Sequence, residues 1–393
     1  MNKPSAIHYV LCLLFVAFIT PACTSKKDTK PQYQAVARTF GVNLDLNNLE
    51  NYTQAPPNYI RKDNAANNPV TNKGATLGRV LFYDKQLSID NTIACASCHQ
   101  QANAFTDPAQ VSAGVSGGIT GRHSMRLVNA RFGDDPRFFW DERARTLEIQ
   151  TTQPIQDHAE MGFSGQNGRP NLQNLITKLQ AIDYYQELFT FVYGDAQITE
   201  ERIQLALAQF VRSIQSFDAR YDVGRAQVAN DNAPFPNFTA LENQGKNLFI
   251  SPPQFNLNGV RTGGGAGCGG CHRAPEFDIA PNGQNNGFIS KIGGGTDLTV
   301  VRSPTLRDLV KANGAMNGKF MHTGFSDQLS AVVEHYNLIS TVGNNNLDPR
   351  LRPNGQGQNL QLTQNEKDAL VAFMRTLSGT DVYTNKKWSN PFL

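Results

Sequence analysis

The stretch Cys95-Ala96-Ser97-Cys98-His99 occurs again as Cys268-Gly269-Gly270-Cys271-His272. In a helical turn this spacing sets two thiols where they can add to the two vinyl groups of one haem, and the histidine that follows reaches the iron as proximal ligand. One motif attaches one haem, so the pair implies two covalently bound c-type haems. A disulfide, a thioredoxin-like redox pair or a four-ligand zinc site shared between the copies would also use the cysteines. Each of these leaves the histidine after both pairs to coincidence.

A chain of 393 residues is too long for a small electron carrier and suggests about two domains. Charged residues make up 18% of it and the net charge is +3 without a basic run, which argues against nucleic acid as a partner. Glycine (33) and proline (20) are frequent and 39% of residues are hydrophobic, the composition of a soluble, loop-rich globular protein in which strands are not prominent.

Lys3 precedes an apolar run from Ala6 to Ile19, shorter than the roughly 20 residues of a spanning helix and suited to the core of an export signal. Residues 1–22 are expected to be that signal. Thr20-Pro21-Ala22-Cys23 resembles a relaxed lipoprotein box and is followed by the polar Thr24-Ser25-Lys26-Lys27-Asp28, which admits a lipid anchor on Cys23. Ordinary cleavage nearby would instead leave Cys23 a spare thiol. Cys12 lies in the signal and four of the six cysteines belong to the haem motifs, so no pair remains for a disulfide. The periplasm is the expected location, because c-type haem is assembled outside the bacterial cytoplasm.

Residues 23–73, rich in Asn, Pro, Gln and Thr, predict an extended arm or linker. From Gly74 the apolar residues Leu77, Val80 and Leu81 recur at helical spacing and lead to the first motif. Gly78-Arg79-Val80-Leu81-Phe82 before Cys95 is echoed by Gly245-Lys246-Asn247-Leu248-Phe249 before Cys268. The repetition predicts a mostly α fold of two homologous haem domains in tandem, 74–230 and 231–393, with the boundary near Val223 to Asn237. Leu172, Leu175, Ile176 and Leu179 mark one amphipathic helix between the motifs, and Ile203, Leu207, Phe210, Val211 and Ile214 a second, capped by Thr199. Thr363 and Glu366 form a capping box for a last helix running through Leu370, Phe373 and Leu377 to Gly379.

After the first motif come Phe139-Trp140-Asp141-Glu142-Arg143-Ala144-Arg145-Thr146-Leu147-Glu148-Ile149-Gln150, Pro154-Ile155 and Glu160-Met161. Ser303-Pro304-Thr305-Leu306-Arg307 and Phe320-Met321-His322-Thr323-Gly324 follow in the second half. In these segments and their order the chain resembles the bacterial di-haem cytochrome c peroxidase family, MauG-type oxidases of protein side chains included, over nearly everything from Gly74 onward. The resemblance implies two cytochrome c-like domains. The first would carry the peroxidatic haem on Cys95, Cys98 and His99, and the second an electron-transfer haem on Cys268, Cys271 and His272. Splitting a peroxide needs a positioned group to move a proton between its two oxygens. The family's glutamate and glutamine for this task match Glu160 and Gln150, and its electron-relaying tryptophan between the haems matches Trp140. Alone, Glu160 reads as a surface carboxylate before a core methionine, and Trp140 as core. His322 matches a family histidine beside the second haem, in a structural or propionate-binding role.

Two positions depart from the best-known peroxidases. Counted back from Asn129, their distal histidine falls at Val115, which cannot bind iron. His123 stands where an asparagine helps to bind calcium between the haems, which puts that calcium site in doubt and makes His123 an alternative iron ligand. On the second haem the peroxidase methionine aligns with Tyr336, where MauG-type enzymes have a ligating tyrosine. Leu329, Val332, Val333 and Tyr336 share one helical face that should point towards the haem. A packing tyrosine is the alternative, with Met316, Met321 and His335 as other ligand candidates. The expected function is an exported di-haem peroxidase that reduces hydrogen peroxide to water with electrons from a small cytochrome c or cupredoxin, a homodimer being admitted. The alternatives are a MauG-like oxidase of a partner protein's aromatic side chains and a di-haem protein of electron transfer alone.

Overall fold

The computed structural model describes residue 1 and residues 32–133, 137–279 and 282–392. Met1 apart, the expected export signal and the lipid-anchor residue Cys23 lie outside the described residues.

Helix α1 (Gln34–Phe40) falls in the stretch read as an arm. The backbone N–H groups of Ala35 and Val36 donate to the Glu187 carboxylate at 3.0 and 2.9 Å, satisfying donors that a helix start leaves open. Val36, Phe40 and Tyr52 are buried, and the Tyr52 hydroxyl donates to the Lys387 carbonyl at 2.8 Å. Residues 32–73 are therefore a packed layer rather than an extended arm. Their partners lie far along the chain, where local composition does not reveal them.

The first unit continues with α2 (Asn72–Tyr83), the cysteine turn α3 (Cys95–Cys98), α4 (Leu147–Gln156), α5 (Leu172–Gln180), α6 (Asp183–Tyr193) and α7 (Glu200–Ser213). Side-chain oxygens of Thr71, Thr146, Asn171 and Thr199 cap α2, α4, α5 and α7 by accepting from the backbone three residues on. The two amphipathic helices expected between the motifs are α5 and α7. Spacing alone missed α4, which contains Pro154, and α6, whose aromatic run is a weak helix signal.

After α8 (Arg220–Arg225) the second unit comprises α9 (Ala240–Ile250), a hairpin of β1 (Pro253–Phe255) and β2 (Arg261–Gly264), the antiparallel pair β3 (His272–Arg273) and β4 (Asp278–Ile279), α10 (Leu329–Asn337) and α11 (Gln364–Arg375). The Thr363–Glu366 capping box on α11 forms as expected, and the helix ends a few residues before Leu377. The second haem motif is not an α-helical turn. Cys268–Gly270 is a 3-10 turn, and His272 opens a strand that pairs with Ile279.

Each unit rests on one helix crossing. A Cβ on Gly78 of α2 would collide with the carbonyl oxygen of Ala206 on α7, and a Cβ on Gly245 of α9 would collide with that of Ala369 on α11. Four residues after each glycine a phenylalanine meets the partner helix: Phe82 lies 5.1 Å from Phe210 and Phe249 lies 5.2 Å from Phe373 between ring centroids. The echo seen in sequence is thus one packing solution used twice. The helices approach until backbone touches backbone, and only glycine leaves room.

Two hydrophobic cores result, one around α1 to α7 and one around α8 to α11. The chain end crosses back between them: Val382 and Trp388 are buried in the first core, and Trp388 Nε1 donates to the Ser213 carbonyl at 3.1 Å. Between the cores, Arg307 is fully buried against Asp222 at 2.8 Å, and Tyr59 donates to the same carboxylate at 2.7 Å.

Gly78→Ala and Gly245→Ala should each destabilise the holoprotein by about 1–3 kcal/mol, the usual scale of overpacking. Thermal unfolding with both haems attached measures this. A change under about 0.5 kcal/mol, the size of an ordinary surface substitution, would mean that the crossings have slack.

Candidate functional site

A cavity of about 370 Å³ opens beside α3, lined by Cys95, Cys98, His99, Trp140, Gln150 and Glu160 among others. Helix α4 contributes Leu147, Gln150, Thr151 and Pro154, a stripe at i, i+3, i+4 and i+7. Glu160 sits in the turn after α4. The N–H groups of Ala159 and Glu160 donate to the Asp157 carboxylate at 2.8 and 3.0 Å, and the Val115 N–H donates to the Glu160 carbonyl at 3.0 Å. A Cβ on Gly114 or Gly118 would collide with the Ala159 carbonyl oxygen, so the loop 111–118 lies flat against this turn. Burial pushes the Glu160 carboxyl up to about 7; repulsion from Asp157 adds to the shift and Arg143 opposes it. The site thus holds a carboxyl group that both gives and takes a proton near neutral pH.

The cysteines and histidines fit haem attachment. All four thiols are free, and burial pushes Cys95 and Cys268 up to about 12 and Cys98 to about 11. Groups held as thiols suit thioether formation better than a zinc thiolate site. Among the described residues no three His, Cys, Asp or Glu side chains gather as a metal cluster. His99 Nδ1 lies 3.1 Å from the Phe105 carbonyl, which leaves Nε2 as the nitrogen for a metal, and burial lowers the pKa of the ring so that it stays neutral. The Met125 carbonyl also acts on this ring. Its counterpart His272 is buried without a hydrogen bond on Nδ1, and burial lowers its pKa to about 4 against the opposing pull of the Pro304 and Phe277 carbonyls. Phe105 and Phe277, with φ of 58° and 55°, bend the chain back over the two histidines in the same way.

A second cavity of about 90 Å³ is lined by His272, Asn286, Met321, Leu329, Val332 and Tyr336 among others. The face of α10 expected to point inward does so. Asn286 Nδ2 donates to the Tyr336 hydroxyl at 3.3 Å and lies 3.9 Å from the Met321 sulfur, so it stands between these two ligand candidates. Burial, with Cys271 and Cys268 nearby, holds the Tyr336 pKa well above its ordinary value. Met316 and His335 do not line this cavity, and His335 Nε2 faces the Asn286 carbonyl at 3.1 Å.

The two cavities share a wall. His123, Ser124, Met125, Arg126, Trp140 and Arg302 line both. Trp140 Nε1 donates to the His123 carbonyl at 2.7 Å, the His123 N–H to the His322 carbonyl at 2.8 Å, and the Arg302 N–H to the Trp140 carbonyl at 2.7 Å. The His322 ring lies 6.3 Å from that of Trp140. Arg122 joins Asp141 at 3.0 Å to Asp297 at 2.7 Å beside them.

All three expected catalytic residues, Trp140, Gln150 and Glu160, therefore meet at the first cavity, and Tyr336 meets His272 at the second. Val115 is buried outside both linings. His123 Nδ1 lies 3.2 Å from the Gln110 carbonyl and Nε2 3.4 Å from the Thr106 hydroxyl, which itself donates to the Ser124 carbonyl at 2.6 Å. Sequence reasoning missed Asn286 and Arg126. Matching the two repeats through Met125 and Pro304 would have flagged Arg126, which faces Thr305 in the other copy.

A family profile described as "Di-haem cytochrome c peroxidase" matches residues 72–229. The methylamine utilization protein MauG of Methylophilus methylotrophus is 28% identical over 323 residues, covering 79% of this chain and 84% of its own. The cytochrome c551 peroxidase of Nitrosomonas europaea is 26% identical over 328 residues, covering 78% and 80%. The crystal structure of a MauG-like protein associated with microbial copper homeostasis superposes with a TM-score of 0.62 at 26% identity, covering 86% of this chain and 98% of that one. With two cysteine–histidine turns, each set on one of two tandem helical cores, the chain is similar along most of its length to di-haem cytochrome c peroxidases and MauG proteins, and its residues 72–229 match the profile of that family.

Proposed function

We propose that the protein reduces hydrogen peroxide to water, H₂O₂ + 2 e⁻ + 2 H⁺ → 2 H₂O, with electrons delivered one at a time by a small cytochrome c or cupredoxin. The observation that carries this reading is the meeting of Cys95, Cys98 and His99 with Gln150 and a Glu160 carboxyl pushed up to about 7 in one cavity. Haem, when bound, supplies the redox-active iron. Glu160 takes a proton from the inner oxygen of a peroxide and delivers it to the outer one as the O–O bond breaks, so that water rather than hydroxide leaves. Gln150, one turn along from Leu147 and Pro154, orients the peroxide by hydrogen bonding. Trp140 lies in the shared wall and carries electrons between the halves.

In this reading 74–230 holds the peroxide chemistry and 231–393 the entry of electrons. The chain would be exported to the periplasm, where c-type haem is assembled, with a lipid anchor on Cys23 as a further proposal. A pure electron-transfer role gives no use to a proton-moving carboxyl beside the first cysteine turn. One observation favours a second reading, a MauG-like oxidase of a partner protein's aromatic side chains: Tyr336 shares the second cavity with His272. The relatives carry both names. Mixing peroxide with the holoprotein in a stopped-flow instrument, with and without a reduced donor, separates the two. Fast donor-coupled turnover supports the peroxidase, and a long-lived oxidised state that donors discharge slowly supports the oxidase.

Glu160→Gln should keep both haems yet slow the reaction with peroxide by about 10²-fold or more, the scale of a lost acid–base group. As Glu160 must start ionised to accept a proton, the wild-type rate should fall as pH drops through about 7, and the variant should lack that limb. A variant as fast as wild type would remove Glu160 from the mechanism.

Val115 offers no ligand and the His123 ring is turned with Nδ1 to the Gln110 carbonyl, so in this reading the first haem should be open at rest. Electron paramagnetic resonance of the fully oxidised protein should give a high-spin ferric signal, and peroxide should react without prior reduction. Two low-spin signals alone would contradict this. Tyr336→Phe should raise the second haem's potential, because an anionic oxygen ligand favours ferric iron; an unchanged potential would make Tyr336 a packing residue.

A further inference from the structure

Four arginines line the first cavity: Arg122, Arg126, Arg143 and Arg302. Arg122 pairs with Asp141 and Asp297, Arg143 pairs with Asp141 at 2.9 Å, and Arg302 lies over the Phe138 ring at 5.0 Å. Arg126 differs. It makes no hydrogen bond or ion pair among the described residues, and its Nε is buried without a partner. The groups acting on it electrostatically are Tyr383 and Asp308; one oxygen of the Asp308 carboxylate accepts from the Gly379 N–H at 2.9 Å, and the other is buried without a hydrogen bond of its own.

A guanidinium stays charged at any physiological pH, and a buried charge persists only where an opposite charge meets it. Arg126 lines both cavities, so the missing anion belongs to something that fills them. Local backbone needs do not explain the residue. The equivalent position in the second unit, one residue past the carbonyl that faces the proximal histidine, is Thr305, whose hydroxyl accepts from the Arg307 N–H at 3.2 Å. A small polar residue therefore suffices there for the fold.

We propose that Arg126 is a shared carboxylate anchor: its guanidinium binds a propionate of each haem where the two cavities meet, and so couples the two cofactors through one positive charge. The planar fork of five N–H donors can serve two carboxylates at once, which an ammonium or an amide cannot. A cation at that point destabilises the ferric state of both haems and raises both potentials.

The test uses the holoprotein, with two haems per chain first established by pyridine haemochrome. In an anaerobic spectroelectrochemical titration, Arg126→Gln should lower both midpoint potentials, and Arg126→Lys, which keeps the charge, should hold them near wild type. Resonance Raman propionate bending bands should move in both variants, since neither reproduces the fork. Unchanged potentials in Arg126→Gln, or a change confined to one haem, would overturn the proposal. If Arg126→Gln fails to retain its haems, Arg126→Lys decides alone, and propionate bands identical to wild type would overturn it.

Discussion

The structure depends on a contact that occurs twice, a glycine on one helix pressed against the backbone carbonyl of another. At Gly78 and Ala206, and again at Gly245 and Ala369, there is no space for a methyl group. The consequence is mechanical. With the helix axes held this close, the phenylalanine one turn on must slot into the partner helix, and the chain leaving the first helix emerges at a fixed place for its cysteine turn. Close packing of this kind tolerates little adjustment, so the geometry of each haem site is decided some distance from the site itself.

The meeting of the two halves is equally specific. Two backbone hydrogen bonds, His123 to His322 and Arg302 to Trp140, run from one half to the other, the Trp140 indole N–H is tied to the His123 carbonyl within the first, and Arg122 adds an ionic clasp between Asp141 and Asp297. Trp140 is buried and its indole N–H is satisfied by the His123 carbonyl. Phe139 and Glu142, both at positive φ, flank it in a tight turn whose ends pair at Phe138 and Ala144. A backbone held in sparsely populated conformations on both sides of one indole points to a side chain whose orientation matters.

Much of this was legible in the residues. Two pentapeptides with a histidine after each cysteine pair announced the cofactor class, and the Gly-x-x-x-Phe echo announced the duplication. Thr199 and Thr363 marked helix starts that formed as expected. What escaped was non-local. The carboxylate that anchors α1 belongs to Glu187, 152 residues along the chain from Ala35, and the tail that completes the first core passes through the second unit beforehand. No pattern of period two or 3.6 encodes such contacts. The strand at His272 was hidden for another reason: its register depends on a chain reversal through Phe277 at positive φ, a conformation that a phenylalanine gives no reason to expect.

The peroxidase and oxidase readings make the same demand on the first cavity, because both begin by moving a proton on a peroxide, and the proposed mechanism gives that task to Glu160 with Gln150. They part at the second cavity. A peroxidase must receive electrons quickly and discharge the oxidised centre, whereas an oxidase of aromatic side chains must hold oxidising capacity until a partner docks. An oxygen donor on the second haem favours holding, since it stabilises high oxidation states, and a thioether favours receiving. Both donors lie against this cavity, Tyr336 from α10 and Met321 from a loop, and Asn286 contacts each. Met321 sits at φ of 65° in its loop, while Tyr336 is fixed in the third turn of a helix whose inward face also carries Leu329 and Val332. The donor on the more rigid element is the better placed to hold a position against thermal motion. Which of the two readings holds therefore turns on which of these donors, Tyr336 or Met321, the second haem takes.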